Sequence, residues 1–139
     1  VEMTAHNAKQ NGLAVEAVEA DVFDFLTELD KKKDHSYDYI VLDPPAFTKS
    51  GKTVHEAFRG YKEINYRAMK ILPRGGYLAT CSCSHFMGEE LFVKMVNEAA
   101  RDAVVTLRQI EFRQQAPDHP ILMTVPETYY LKFFLFQIV

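Results

Sequence analysis

Segments with strand and helix patterns alternate along the chain until its end, where two strand patterns follow one another. Parallel strands need a crossover between them, commonly a helix, whereas consecutive strands can pair in the antiparallel direction. The sequence therefore predicts an α/β fold, in which a doubly wound, Rossmann-like sheet finishes in a C-terminal antiparallel strand pair. The predicted elements are a helix end at 1–11, a strand at 13–20, a helix at 22–29, a strand at 37–42, a helix at 55–72, a strand at 77–81, a helix at 89–102, and strands at 104–112 and 129–139.

Turn-forming residues separate these segments. The Asn-Gly pair at 11–12 is a helix-ending signal, and the Asp-Pro-Pro run at 43–45 can continue neither strand nor helix. The Pro-Arg-Gly-Gly run at 73–76 ends the longest helical pattern. Each predicted element therefore has a local reason to stop where it does.

The bulk properties are those of one globular domain. The chain has 139 residues, 47% of them hydrophobic, and a formal net charge of −3, so bulk electrostatics do not indicate nucleic-acid binding. Cys81 and Cys83 are too close for an ordinary framework disulfide, and the start has no secretory pattern. We therefore expect a cytoplasmic protein. Because the chain opens at Val1 without an initiator Met, we also expect a piece of a longer one.

Polar clusters follow three of the predicted strands. They are Asp21, the Asp-Pro-Pro run at 43–45 and the Cys-Ser-Cys-Ser run at 81–84. In an open parallel sheet, ligands bind at the carboxyl ends of the strands, so the three clusters are expected to share one crevice. Each cluster alone has a simpler interpretation as well. Asp43 suits a platform for a planar base or an ordinary Asp-Pro turn, and Asp21 suits an adenine amino group or a helix N-cap.

The cysteines carry the clearest nucleophile hypothesis. Cys83, flanked by serines beyond a strand end, is a candidate thiol nucleophile, although a lone Cys is more often small and inert. Cys81 belongs to the strand and is expected to be inert. We expect no metal site, because Cys-x-Cys is tight spacing for zinc and only His85 and His119 could add ligands. The polar run at 59–65 suits either a substrate surface or a solvated helix face.

Seven motifs together resemble one family. In chain order they are LDPPAF, RGYKEIN, ILPRGG, LATCSCS, DHP, PE and YLK. This combination resembles the RlmI-type family of bacterial 23S ribosomal RNA cytosine-C5 methyltransferases, which are class I enzymes dependent on S-adenosylmethionine (SAM). The resemblance extends over essentially the whole chain and implies that residues 1–139 are the C-terminal part of a methyltransferase catalytic domain.

The resemblance implies a role for each matching residue. Asp21 would bind the adenine amino group of SAM, and Val22 and Phe23 would line the ring. Asp43 would act at the methyl end of SAM and in catalysis, with Cys83 as the nucleophile that adds to cytosine. The cofactor site would also include Pro44. The implied contacts to the ribosomal RNA substrate are Pro45, Phe47, Lys49, Arg59, Tyr61 and Lys62.

The chain also departs from the family pattern. The Gly-rich SAM loop, the acidic residue for the ribose, two central strands and an RNA-binding domain would all lie before Val1. We therefore expect this chain alone to be inactive. We expect the strand at 13–20 either to close against the strand at 37–42 or to leave an edge that a second copy covers in a homodimer. A third explanation of the uncovered strand edge is that the two central strands are present in the molecule but absent from this sequence.

Two other functions remain open on the sequence. One is methylation of a base nitrogen, as in related guanine enzymes with a similar Asp-Pro-Pro loop, and that reaction needs no thiol. The other is a truncated domain that folds without binding SAM.

Overall fold

The computed structural model describes residues 1–47 and 53–139. In those ranges the helices are α1 (Glu2–Gln10), α2 (Val22–Lys31), α3 (Val54–Ile71) and α4 (Glu89–Ala103). The strands are β1 (Tyr39–Leu42), β2 (Tyr77–Ser82), β3 (Leu107–Arg113) and β4 (Lys132–Ile138), and a short 3₁₀ helix covers Pro126–Thr128. Among the described residues, no helix combines the length and apolar character needed to cross a membrane.

The strands form one sheet in the order β1-β2-β4-β3. β1 pairs with β2 in parallel, and α3 is the crossover between them. β4 pairs antiparallel with both β2 and β3, so the last two strands form the predicted antiparallel pair. The predicted α/β class and its C-terminal pair are therefore confirmed.

The core lies where α3 and α4 pack together and against the sheet. α3 buries Tyr61 and Met69 at helical spacing, and α4 buries Phe92 and Val96 in the same cluster. β4 alternates strictly, with one face buried and the other half-buried. This packing holds the carboxyl ends of β1 and β2 side by side.

The predicted strand at 13–20 is wrong. These residues form no regular element, and Leu13, Val15 and Val18 are 63%, 50% and 56% exposed. A strand is stable only when its backbone groups pair with a neighbouring strand and one apolar face is covered, and residues 13–20 pair with no strand of the described sheet. The same observation excludes the closing of Val15 against β1, which remains an outer strand of the described sheet with Val41 61% exposed. Self-association stays a prediction.

Gly76 begins the turn into β2 at a position where a side chain has no room. A Cβ there would lie 2.9 Å from the Pro73 carbonyl oxygen and 3.3 Å from that of Asp38, and both are backbone atoms. We expect Gly76→Ala to lower the free energy of unfolding by about 1–3 kcal/mol, as overpacking typically does. Denaturant unfolding measures this, and Gly60→Ala is the control because a Cβ at Gly60 would make only an ordinary contact, 3.6 Å from the ring of Phe47, inside helix α3. Equal stability of the two variants would contradict the prediction.

Candidate functional site

A cleft of about 500 Å³ opens where β1 ends. The start of α2 forms one side of it, and the loop that follows β1 forms the other. Its lining residues are Ala20, Asp21, Val22, Phe23, Val41, Leu42, Asp43, Pro44, Pro45, Phe47 and Ile64. The structure thus brings together every residue predicted for the cofactor site, with two of those predicted for the substrate.

Asp21 is the N-cap of α2. Its Oδ1 accepts hydrogen bonds from the backbone N–H groups of Phe23, at 2.9 Å, and Asp24, at 3.2 Å. The capping interpretation is therefore confirmed. Because both bonds use the same oxygen, the cap does not occupy the whole carboxylate.

Aromatic rings wall the cleft on the α3 side. Phe47 packs edge-on against Tyr61, with ring centroids 4.6 Å apart, and lies 6.3 Å from the ring of Phe23. The ring of Phe47 also lies over Gly60, where a Cβ would come within 3.6 Å of it. Phe47 is therefore packed against α3. Lys49 lies outside the described residues.

The two cysteines have opposite environments, as the strand pattern predicted. Cys81 is buried in β2, and its thiol donates to Asp43 Oδ1 at 3.2 Å and to the Leu42 carbonyl at 3.4 Å. Burial, reinforced by the Asp43 carboxylate, raises the pKa of Cys81 to about 12. Cys81 therefore stays a neutral thiol that fixes Asp43. Cys83 is exposed beyond the end of β2.

Hydrogen bonds hold the turn that presents Cys83. The Ser82 hydroxyl donates to the Tyr61 hydroxyl at 3.0 Å, and the Ser84 N–H donates back to Ser82 Oγ at 3.3 Å. Ser82, Ser84 and Tyr61 are all buried, and burial is the main reason that the pKa of Tyr61 is raised. Cys83 therefore projects from a turn whose neighbours on both sides are fixed. Tyr61 has no exposed surface, so it supports this turn rather than contacting a ligand.

Lys132, at the start of β4, is a part of this region that the sequence analysis missed. It is 1% exposed, and its ammonium donates to the carbonyls of Ser84, at 2.5 Å, and Tyr130, at 2.7 Å. Burial lowers its pKa to about 8. The sequence did indicate that this lysine is buried. Lys132 shares one side of β4 with Phe134 and Phe136, and that side of the strand is otherwise apolar.

Arg59 and Lys62 lie away from the cleft. They line a separate groove between α3 and α4, together with Glu63, Tyr66 and Asp102. The Lys62 ammonium lies 2.7 Å from Asp102 and 3.6 Å from Glu98, and the bond to Asp102 is the main reason that its pKa is raised. The structure therefore does not bring these two predicted substrate contacts to the Asp43 cleft.

Comparison with curated proteins finds close relatives, whereas no protein-family model matches the chain. A protein from Aeromonas salmonicida named ribosomal RNA large subunit methyltransferase I is 43% identical over 135 residues, which are 95% of this chain and 34% of that protein. One of the same name from Photobacterium profundum is 45% identical over 131 residues, 92% of this chain and 33% of that protein. The chain thus spans about one third of the length of these relatives.

Comparison with solved structures shows the same fold. A protein assigned as a methyltransferase and crystallised with S-adenosylhomocysteine (SAH) superposes with a TM-score of 0.81 at 19% identity, over 98% of this chain and 36% of that chain. The Rossmann-like methyltransferase fold expected from the motifs is therefore confirmed. The 139 residues are homologous to ribosomal RNA large subunit methyltransferase I, and they match about one third of it.

Proposed function

We propose that this chain is part of a SAM-dependent methyltransferase that forms 5-methylcytosine in large-subunit ribosomal RNA, with Cys83 as the nucleophile. The observation that carries the proposal is the pair of groups at the sheet edge. An exposed thiol follows β2 where an anchored carboxylate follows the adjacent strand β1. The names of the relatives support ribosomal RNA as the substrate, and the SAH-bound structure of the same fold supports SAM as the methyl donor.

The described residues fit one part of SAM. A cleft of about 500 Å³ is within the range of small-molecule sites, and its apolar lining suits a planar ring. Phe23 would cover the adenine, Asp21 would accept from the adenine amino group, and Asp43 would lie near the methyl end. SAM supplies an activated methyl group when bound.

Cytosine C5 needs activation before it can take a methyl group. The thiolate of Cys83 would form a bond to C6, which makes C5 nucleophilic. C5 would then bond to the methyl carbon as the bond to the sulfonium sulfur breaks, leaving SAH. A base, such as solvent hydroxide, would take the C5 proton, and the C6–S bond would break to return the thiolate. Asp43, held by Cys81 and followed by two prolines, would orient the cytosine during these steps.

The target base must leave its stack to reach this site. Enzymes that modify a base within a paired region turn it out of the helix into a pocket. The net charge of −3 on residues 1–139 offers no general attraction to phosphates, so we propose that most of the RNA affinity comes from other parts of the protein.

Nucleoside analysis tests the proposed function. The intact protein, incubated with SAM and unmodified large-subunit RNA, is expected to produce 5-methylcytidine, measured by mass spectrometry after digestion. Methylated guanosine as the product would favour the base-nitrogen reaction. Absence of any product from a protein that binds SAM and RNA would contradict the proposal.

Substitutions at Asp21 can separate its role as the N-cap of α2 from its proposed contact with the cofactor. Asp21→Ala removes both, and loss of the cap is expected to lower the free energy of unfolding by about 0.5–2 kcal/mol. Asp21→Ser keeps a capping oxygen, so its stability should stay near that of the native protein, while SAM affinity falls because the adenine amino group loses its carboxylate. Thermal unfolding and calorimetry with SAM in the intact protein measure the two effects. Native SAM affinity in Asp21→Ser would exclude the adenine contact.

A further inference from the structure

Lys132 is a buried cation at the start of β4. Its side chain is 1% exposed, and no carboxylate forms an ion pair with it in the described parts of the chain, 1–47 and 53–139. Its two hydrogen-bond acceptors are neutral backbone carbonyls. Burying an ammonium group without a counter-charge is unfavourable, so a lysine in this position needs a reason. Perturbed lysines of this kind are candidates for functional sites.

The position of Lys132 connects it directly to the Cys83 turn. Lys132 is paired with Ser82 in the β2–β4 register, and its ammonium donates to the carbonyl of Ser84. Cys83 lies between those two serines, so the cation is bound to the backbone carbonyl of the residue that follows the candidate nucleophile. Burial lowers the pKa of Lys132 to about 8, and the negative charge of a Cys83 thiolate acts in the opposite direction. At pH 7, therefore, the lysine is mostly charged.

We propose that Lys132 is a positioning residue for Cys83, in that its buried ammonium holds the Ser84 carbonyl and stabilises the thiolate form of Cys83. This inference rests on the proposed function for its biological meaning. In the proposed reaction, the Cys83 thiolate would supply the negative charge that compensates the Lys132 ammonium. In the proposed reaction the thiolate is needed at two moments, when it attacks C6 and when it leaves again. The Lys132 ammonium, fixed by the carbonyls of Ser84 and Tyr130, would favour the thiolate at both moments.

The pH dependence of Cys83 alkylation tests this directly. Iodoacetamide reacts with the thiolate, so the midpoint of the rate against pH reports its formation. Lys132, Tyr61 and Cys81 each interact electrostatically with Cys83, and Cys81 in turn contacts Asp43. The measurement is made on the 139-residue chain with Cys81→Ala, so that only Cys83 is labelled.

Lys132→Met keeps the length of the side chain and removes its charge. Its alkylation midpoint is expected to move to higher pH, because loss of a nearby positive charge disfavours the thiolate. Lys132→Arg should restore most of the shift because it keeps the cation. Lys94→Met, a change at an exposed lysine of α4, is the matched control and should leave the midpoint unchanged. An unchanged midpoint in folded Lys132→Met would overturn the inference.

A second comparison does not depend on whether Lys132→Met folds. A peptide of residues 80–87 with Cys81→Ala has the same local sequence but no Lys132, so its midpoint should lie at higher pH than that of the folded chain. Equal midpoints would overturn the inference. Neither assay uses RNA or SAM, so a failure of the role proposed for Lys132 can be distinguished from a failure of the proposed function. An unshifted midpoint in a protein that methylates cytosine through Cys83 removes only the role of Lys132. A shifted midpoint in a protein that does not methylate cytosine removes only the proposed function.

Discussion

Replacement of Cys83 by Ala in the intact protein is expected to abolish formation of 5-methylcytidine, while SAM binding and folding are retained. The thiol is exposed and makes no contribution to the core, so its loss removes chemistry rather than stability. Without an adduct at C6, the C5 atom of cytosine is not nucleophilic enough to take the methyl group. Transfer of radiolabelled methyl groups to RNA, followed by nucleoside analysis, measures the loss.

Cys81→Ala is the matched control for this experiment. It removes a thiol two residues away that is buried and whose pKa of about 12 keeps it protonated. It also removes one hydrogen bond to Asp43, so a modest decrease in rate is expected and most of the activity should remain. Full methylation of cytosine by Cys83→Ala would end the C5 mechanism that proceeds through this residue.

The 139-residue chain by itself is expected to bind SAM very weakly. In the proposed binding mode, Asp21 and Asp43 would serve the adenine and methyl ends, but Gly12 is the single glycine before Asp21, so residues 1–20 hold no Gly-rich loop. Each lost hydrogen bond to a charged ligand group typically costs about 1.5–3 kcal/mol, so losing several weakens binding by orders of magnitude. Calorimetry with SAM measures this, with the intact protein as the positive control. Micromolar affinity of the isolated chain would contradict the expectation.

Local patterns predicted most of this fold because the elements carry their own boundaries. β1 stops at the Asp-Pro-Pro run, and α3 stops before Pro73 because proline and the glycines after it cannot continue a helix. The prediction of a strand at 13–20 was wrong because strand formation also depends on contacts outside the segment. Its alternating pattern describes one side of a sheet, but strand formation depends on a partner that the pattern does not contain.

The site was predicted in part. The residues at the end of β1 and the start of α2 converge as the motif order implied, because parallel strands end at one edge of a sheet. Arg59 and Lys62 lie in a separate groove, which the sequence did not indicate, since charges near the start of a helix do not reveal which neighbour will pair with them. Lys132 was missed because its meaning depends on a contact with Ser84, 48 residues earlier in the chain. Such a contact is visible only once β4 is known to lie beside β2.

Trapping of the covalent intermediate tests the central claim most directly. RNA transcribed with 5-fluorocytidine in place of cytidine lets the thiolate add to C6 and the methyl group transfer, but fluorine blocks the loss of the C5 proton that would release the enzyme. The intact protein should therefore form a SAM-dependent protein–RNA complex that survives denaturing electrophoresis, with the crosslink mapped by mass spectrometry to Cys83. Cys81→Ala should still form the complex, and Cys83→Ala should not. A complex that persists in Cys83→Ala, or no complex from a protein that makes 5-methylcytidine, would contradict the assignment of Cys83 as the nucleophile.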